Sequence, residues 1–174
     1  MEDRQSLDRV SRIQSDWRRE RPDLDVSPQG VIGRLHRLAV RLTEELCVVY
    51  DRYGLTEGEF DVLCALRRAG APYERAPGEL AVHTMVTTGA MTKRIDRLER
   101  AGLVSRRRSL RDQRARIVAL TEAGRELIDQ AFTDHMRNEH RLLEHLDPAE
   151  AASLETLLKA WLSRMDLPRT TDGA

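Results

Sequence analysis

The chain has 174 residues, of which 40% are hydrophobic, 4% aromatic and 33% charged. That length suits one domain with appended arms, and the composition calls for an aliphatic, helix-rich core beneath a charged surface. No apolar run approaches the roughly 18 residues of a membrane span, and the start MEDRQSLDRV has no apolar leader, so a cytoplasmic protein is expected. Cys47 and Cys64 lie in apolar surroundings without CxxC spacing, which argues against a disulfide framework or a zinc ribbon.

Net charge is zero, but its distribution is uneven. From Lys93 to Arg116 ten basic residues meet three acidic ones (Asp96, Glu99 and Asp112), a local +7 that the rest of the chain balances with −7. Arginine supplies 27 of the 29 basic residues, a bias that genome composition alone can produce. The clustering therefore carries the inference: one DNA-facing stripe on a neutral protein.

In chain order, Leu7, Val10, Ile13 and Trp17 recur at steps of three and four and predict a helix over 6–19, too short to be stable unless it docks. RPDLDVSPQG reads as a linker, with Ser27 as N-cap and Pro28 at the first helical position of a helix to about Tyr53. Thr56–Glu59 fits a capping box for a third helix through about Arg68. After the turn AGAPYERAPG, Pro77 starts a short helix over 77–83, Met85–Thr88 is a loop, and the next helix runs to about Arg100. Three short helices around a punctuated turn match a helix-turn-helix whose last member is the recognition helix.

Beyond Gly102 the period changes. Leu103-Val104 and Ile117–Leu120 predict two strands around an arginine-rich tip, a β-hairpin wing. Thr121 caps a long helix to about Leu146, and Asp147-Pro148-x-Glu150 opens a last helix carrying Leu154, Leu157, Leu158, Trp161, Leu162 and Met165. RTTDGA at 169–174 reads as a frayed tail. The expected fold is mainly α with a small β-hairpin wing: an added helix and linker over 1–26, then a winged helix-turn-helix with dimerisation helices over 27–168, its DNA-binding part at 55–121.

The stretch LTEGEFDVLCALRRAG, continuing through PGELAVHTMVTTGAMTKRIDRLERAGLVSRRRSLRDQRARIVALTEAGRELI, resembles the MarR family of winged helix-turn-helix regulators. The wing signature is Asp112-Gln113-Arg114 followed by Leu120-Thr121-Glu122-Ala123-Gly124, with Gln113 where many members carry Arg. A narrower resemblance, to the PecS-like, urate-responsive branch, rests on Trp17 in the added helix, on Phe60–Tyr73 and on Thr87–Glu99. That resemblance implies an effector pocket of Trp17, Asp61 and Arg94. Some members add an Asn where this chain has Ala69, which leaves open whether the anion is urate, another purine or an organic acid.

The same residues have plainer readings. Trp17 on a helix stripe can be core, and Asp61, in an otherwise apolar run, can form a structural ion pair with Arg94. The recognition helix is expected to present Thr87, Thr88, Ala90, Met91 and Lys93 to base edges, and Arg106, Arg107, Arg108, Arg111 and Arg114 to line the wing. Buried, inert thiols are favoured over oxidant sensing at Cys47 and Cys64. His135, His140 and His145, five apart, do not share a helix face and form no metal site, though a pH-sensitive dimer contact stays open. No GxSxG, HExxH or phosphate loop appears, so no enzyme and no cofactor is expected. The expected function is a homodimeric, ligand-responsive repressor on a pseudo-palindromic operator. The alternatives are a thiol-based sensor on the same fold and a winged-helix protein-interaction module.

Overall fold

The computed structural model describes residues 8–84, 87–108 and 116–166, and the backbone alone of Thr88. The tip arginines Arg111 and Arg114, the Asp112-Gln113-Arg114 signature and the 169–174 tail lie outside the described residues. Among the described residues, seven helices and three strands follow in the order α1 (Arg9–Glu20), α2 (Gln29–Arg52), α3 (Glu57–Arg67), β1 (Glu74–Arg75), α4 (Pro77–His83), α5 (Thr88–Arg100), β2 (Val104–Arg108), β3 (Arg116–Leu120), α6 (Glu122–Leu143) and α7 (Pro148–Met165). This is the expected winged helix-turn-helix, with one strand more than the sequence indicated.

Helix α3 is the hub. Phe60, Val62, Leu63, Ala65 and Leu66 are all buried, and around them pack Leu80 of α4, Met91, Ile95 and Leu98 of α5, Val118 of β3 and Ile128 of α6. At about 1.5–3 kcal/mol for each large aliphatic side chain withdrawn from water, this cluster dominates the folding free energy. In the sheet β1-β3-β2, β3 runs antiparallel to both neighbours, with Val104 opposite Leu120, Arg108 opposite Arg116, and Glu74 opposite Ala119. The two-residue β1 is too short to show an alternation.

Local chemistry sets the helix ends. Glu59 accepts from both the Thr56 amide (2.9 Å) and the Thr56 hydroxyl (2.8 Å), closing the first turn of α3. Thr87 caps α5 by accepting from the Ala90 amide (3.3 Å). Ser27 does not cap α2: its amide and hydroxyl donate to Asp25 at 2.9 and 3.0 Å, and the helix begins without a side-chain cap. The Leu-Thr-x-x-Gly motif acquires a mechanical meaning at the junction of wing and α6. The Thr121 hydroxyl donates to the Gly102 carbonyl (2.7 Å) and accepts from the Gly124 amide (3.0 Å), while the Thr121 amide donates to the Leu103 carbonyl (3.1 Å). A Cβ at Gly124 would lie 1.9 Å from that Leu103 oxygen.

Helix α1 lies antiparallel along the first half of α2. Val10 touches Gly33, the Gln14 side chain lies on Gly30 and donates to the Val26 carbonyl (2.9 Å), and Asp8 pairs with Arg34 at 2.6 Å. The second half of α2 packs on α6, tied by Asn138 to the Glu45 carbonyl (3.1 Å) and by Tyr53 to Asp134 (2.7 Å). Helix α7 has no buried residue and exposes Leu157, Leu162 and Met165. No described helix is long and apolar enough to cross a membrane.

Because the Gly124 contact is with backbone, no side chain can yield to a methyl group there. Gly124→Ala is expected to lower unfolding free energy by about 1–3 kcal/mol, the usual range for overpacking. Urea denaturation with an unchanged m-value checks it.

Candidate DNA interface and effector site

Helix α5 has two faces. Met91, Ile95 and Leu98, at steps of four and three, are fully buried against α3, whereas Thr87 and Lys93 are exposed and Ala90 is half-buried. Met91 is therefore a core residue, a correction to its expected place among the base-contacting side chains: the helix periodicity that buries Ile95 and Leu98 carries Met91 with it.

The wing is also divided. Arg106 is fastened to α5, its guanidinium donating to Glu99 (2.9 Å) and pairing with Asp96, while its amide donates to Glu99 at 3.1 Å. Arg107 pairs with Glu74 of β1. These two arginines brace the wing against the recognition helix and the third strand, with much of their charge already balanced. Arg108 and Arg116 are exposed, face each other across the β2–β3 ladder, and pair with no carboxylate among the described residues. Like charges directly opposite in a sheet destabilise it, and a phosphate placed between them would relieve that repulsion.

At the other side of α5 lies the second candidate site. The Arg94 guanidinium rests on the first turn of α3, so close that a Cβ on Gly58 would come within 2.2 Å of its central carbon. Its Nη1 is buried and has no hydrogen-bond partner among the described residues. One turn along α5, Arg97 pairs with the buried Glu59 at 2.8 Å. Glu59 thus accepts from Thr56 and Arg97 together, clamping the first turn of α3 to the recognition helix.

Asp61 follows one turn after Glu57. No hydrogen bond or ion pair joins Asp61 to Arg94, so the expected direct pair is corrected to an attraction across a gap. Solvent touches the carboxylate, yet the surrounding protein strips enough hydration to push its pKa upward, and Glu57 adds repulsion. Arg94, Arg68 and His135 offset these effects only in part. Beside it stands an aromatic cluster. Tyr50 stacks on Phe60 with centroids 4.3 Å apart, Phe60 lies 5.0 Å from His135, and Phe132, about half-exposed, lies 5.8 Å from His135. His135 holds the Tyr50 hydroxyl at 3.3 Å through Nδ1 and Glu139 at 3.1 Å through Nε2. Burial, reinforced by Asp61, pushes the Cys64 thiol up to about 12, and burial also raises Cys47. Neither offers the ready thiolate that oxidant sensing needs.

Trp17 does not join this cluster within its own chain. It is exposed on α1, one turn beyond Gln14 and so past the Gly30 level of α2, whereas Asp61 sits at the Tyr50 level. Twenty residues of one helix separate those levels, roughly 30 Å at about 1.5 Å per residue. The structure thus brings together Asp61 and Arg94 and leaves Trp17 apart. It adds Gly58, Glu59 and Arg97, none of which is among the expected site residues. The available signal was a glycine within a capping box, where helix propensity disfavours it. Among the described residues no group of metal-binding side chains occurs.

A model of the MarR family matches residues 55–115. The transcriptional regulator PecS of Dickeya dadantii is 40% identical over 149 residues, spanning 86% of this chain and 90% of that protein. A cysteine-to-serine mutant of Escherichia coli MarR, solved in complex with operator DNA, superposes with a TM-score of 0.68 at 30% identity over 80% of this chain and 99% of that one. Bordetella bronchiseptica BpsR, described as regulated in DNA binding by 6-hydroxynicotinic acid, superposes at 0.66 with 25% identity over 76% and 94%.

The raised Asp61 carboxyl has a measurable consequence. The folded state holds this proton more tightly than the unfolded chain, so the stability it contributes is full below pH 3.8 and is lost as pH rises through the raised value. Asp61→Asn should be more stable than the parent at neutral pH, with the difference vanishing in acid. Thermal melts across pH check this; a less stable Asn variant would mean that a favourable pair holds the carboxylate.

Proposed function

Because this chain belongs to the MarR family of DNA-binding transcriptional regulators, we propose that it is a homodimeric repressor that a planar anion, urate or a related heterocyclic or organic acid, releases from a pseudo-palindromic operator. The observation that carries this reading is the Arg94 guanidinium, held on Gly58 with a buried, unbonded Nη1, on the same helix as the exposed Lys93 and capped by the exposed Thr87. A buried charged donor without an acceptor costs more than the roughly 1–3 kcal/mol of a neutral one, and an anion supplies the acceptor.

On the DNA side, Thr87, Thr88, Ala90 and Lys93 face the major groove, Thr and Ala suiting thymine methyls and Lys suiting guanine or phosphate. Arg108 reaches the flanking backbone; for Arg111 and Arg114, outside the described residues, the arginine-rich tip supports a minor-groove role. Arg106 and Arg107 act indirectly, by holding the wing in place. A two-fold dimer sets two recognition helices about one turn of DNA apart.

Release follows from electrostatics. An anion at Arg94 sits near Asp61, and two like charges about 4 Å apart repel by roughly 4 kcal/mol at an effective dielectric of about 20. Arg94 and Arg97 belong to α5, so what moves them moves the recognition helix. Only unequal binding to the two positions of α5 shifts DNA affinity, and coupling of about 1–3 kcal/mol, roughly 5–150-fold, is typical.

Two measurements test these halves separately. If the dimer neutralises about 6–10 phosphates, its operator affinity should fall on the order of 10³–10⁵ between about 50 and 200 mM salt. Arg108→Ala, which removes one phosphate contact from each protomer, should reduce the logarithmic salt slope by about two, and a salt-independent affinity would remove the DNA-interface assignment. For the effector, operator titrations with and without saturating urate should show that Asp61→Asn keeps ligand binding but loses much of the ligand-induced release. Arg94→Ala should lose ligand binding itself. An Asp61→Asn protein that releases DNA as the parent does would make Asp61 a structural residue.

A further inference from the structure

We propose that Glu74, which lies outside the basic segment, decides which wing arginines meet DNA: it draws Arg107 across the sheet and withholds that charge from phosphate, leaving Arg108 and Arg116 to make the contact. This rests on the DNA-interface reading above and adds to it an acidic residue that limits how many phosphates each protomer neutralises.

The pleat of β2 sends neighbouring arginines to opposite faces. Val104, Arg106 and Arg108 share the face that turns towards α5, where Asp96 and Glu99 hold Arg106. Ser105 and Arg107 lie on the outer face with their β3 partners Ala119 and Ile117, and Glu74 of β1 joins that face opposite Ala119. Strands β1 and β2 are the two edges of the sheet, roughly 9.5 Å apart at about 4.7–4.9 Å per strand. Arg107 spans that width on the diagonal to pair with Glu74, and the β3 residue at the Glu74 level, Ala119, carries only a methyl group. A second donor nitrogen of Arg107 turns back to the Arg108 carbonyl at 3.4 Å.

Glu74 is the fixed end of this bridge. The Leu120 amide donates to the Tyr73 carbonyl (3.1 Å), and Arg75 donates to the Ala65 carbonyl of α3 (3.3 Å). Arg67 lies 4.9 Å over the Tyr73 ring and pairs with Asp129 of α6 at 2.7 Å. The Glu74 side chain is 24% exposed and that of Arg107 40%. A carboxylate so far removed from water is costly to leave unpaired. The arginine therefore comes to Glu74, on a segment anchored to α3 and α6, and is held off the surface that Arg108 and Arg116 present. Binding without regard to sequence depends on the number of phosphates neutralised, each steepening log K against log salt by about 0.9. An unfastened Arg107 would add one such contact per protomer on any DNA.

The test has two arms on the full-length protein. The first needs no DNA: arginines are labelled with phenylglyoxal and located by fragment mass spectrometry. Arg107 should label more slowly than Arg108 in the parent and as fast as Arg108 in Glu74→Gln. Equal rates in the parent, or a rate that Glu74→Gln leaves unchanged, would overturn the proposal. Should Glu74→Gln not fold, Glu74→Asp, one methylene too short to keep the bridge, is read by the same criterion. The second arm follows binding of a short random-sequence duplex across salt concentrations. Glu74→Gln should bind more tightly, with a slope steeper by about 0.9 per protomer. Adding Arg107→Gln to it should return the slope to the parent's. Arg107→Gln alone should weaken binding, since it bares the Glu74 carboxylate, without the flattening expected of Arg108→Ala. A purely structural ion pair would lower melting temperature in these variants and leave every slope alone. If Arg107→Gln flattens the slope as Arg108→Ala does, Arg107 already touches DNA and the proposal fails while the DNA interface stands. If the parent shows no salt-dependent binding, the DNA interface itself fails and the proposal falls with it, even where the labelling rates come out as expected.

Discussion

The contact on which the rest depends is that between the first turn of α3 and the middle of α5. Gly58 has no side chain, and the Arg94 guanidinium occupies the space where one would project. One residue on, the buried Glu59 takes two hydrogen bonds from Thr56 and the charge of Arg97. A carboxylate this deeply buried is tolerable only when paired and hydrogen-bonded. The position of the recognition helix is therefore set by a satisfied charge beside an unsatisfied one. Arg97 holds the helix, and Arg94 keeps a buried donor without an acceptor.

The basic segment looks different once its partners are known. Of its +7, Arg106 and Arg107 are engaged by Asp96, Glu99 and Glu74, Arg97 by Glu59, and Arg94 by the face of α3. Lys93, Arg100, Arg108 and Arg116 are exposed. Exposed ion pairs contribute little to stability, but Arg106 is three-quarters buried and bonded at its backbone as well as its side chain. Its function is geometric: it joins the wing to α5, so the two elements are held together.

Much of this was legible from residue order. The Thr56 and Thr121 starts, the Pro77 helix and the change of period after Gly102 reappear as α3, α6, α4 and the wing because each is set by neighbours in sequence. What was not legible is non-local. Strand β1 exists because Glu74 and Arg75 pair with β3, more than forty residues away. The engagement of Arg106 depends on how the wing folds back on α5. Met91 is a different case: the 91/95/98 spacing marks it as core, and only its place in the first turn of α5 suggests a DNA contact. Trp17 and Asp61 belong together by family resemblance alone, and the length of α2 sets roughly 30 Å between their levels.

The geometry of α5 also bears on how the proposed effector would act. An anion taken up at Arg94 would tilt α5 against α3, and in the proposed dimer that tilt would change the separation of the two recognition helices. Operator binding requires two half-sites to be met at once, so a small change in separation weakens both contacts together. By linkage, DNA that holds the two helices at the operator spacing weakens the ligand by the same factor. The Glu59–Arg97 clamp would make such a transmission stiff: α3 and α5 share a buried charge, and Arg106 ties the wing to α5 through Asp96 and Glu99, so Lys93 and Arg108 sit on elements that are joined to Arg94.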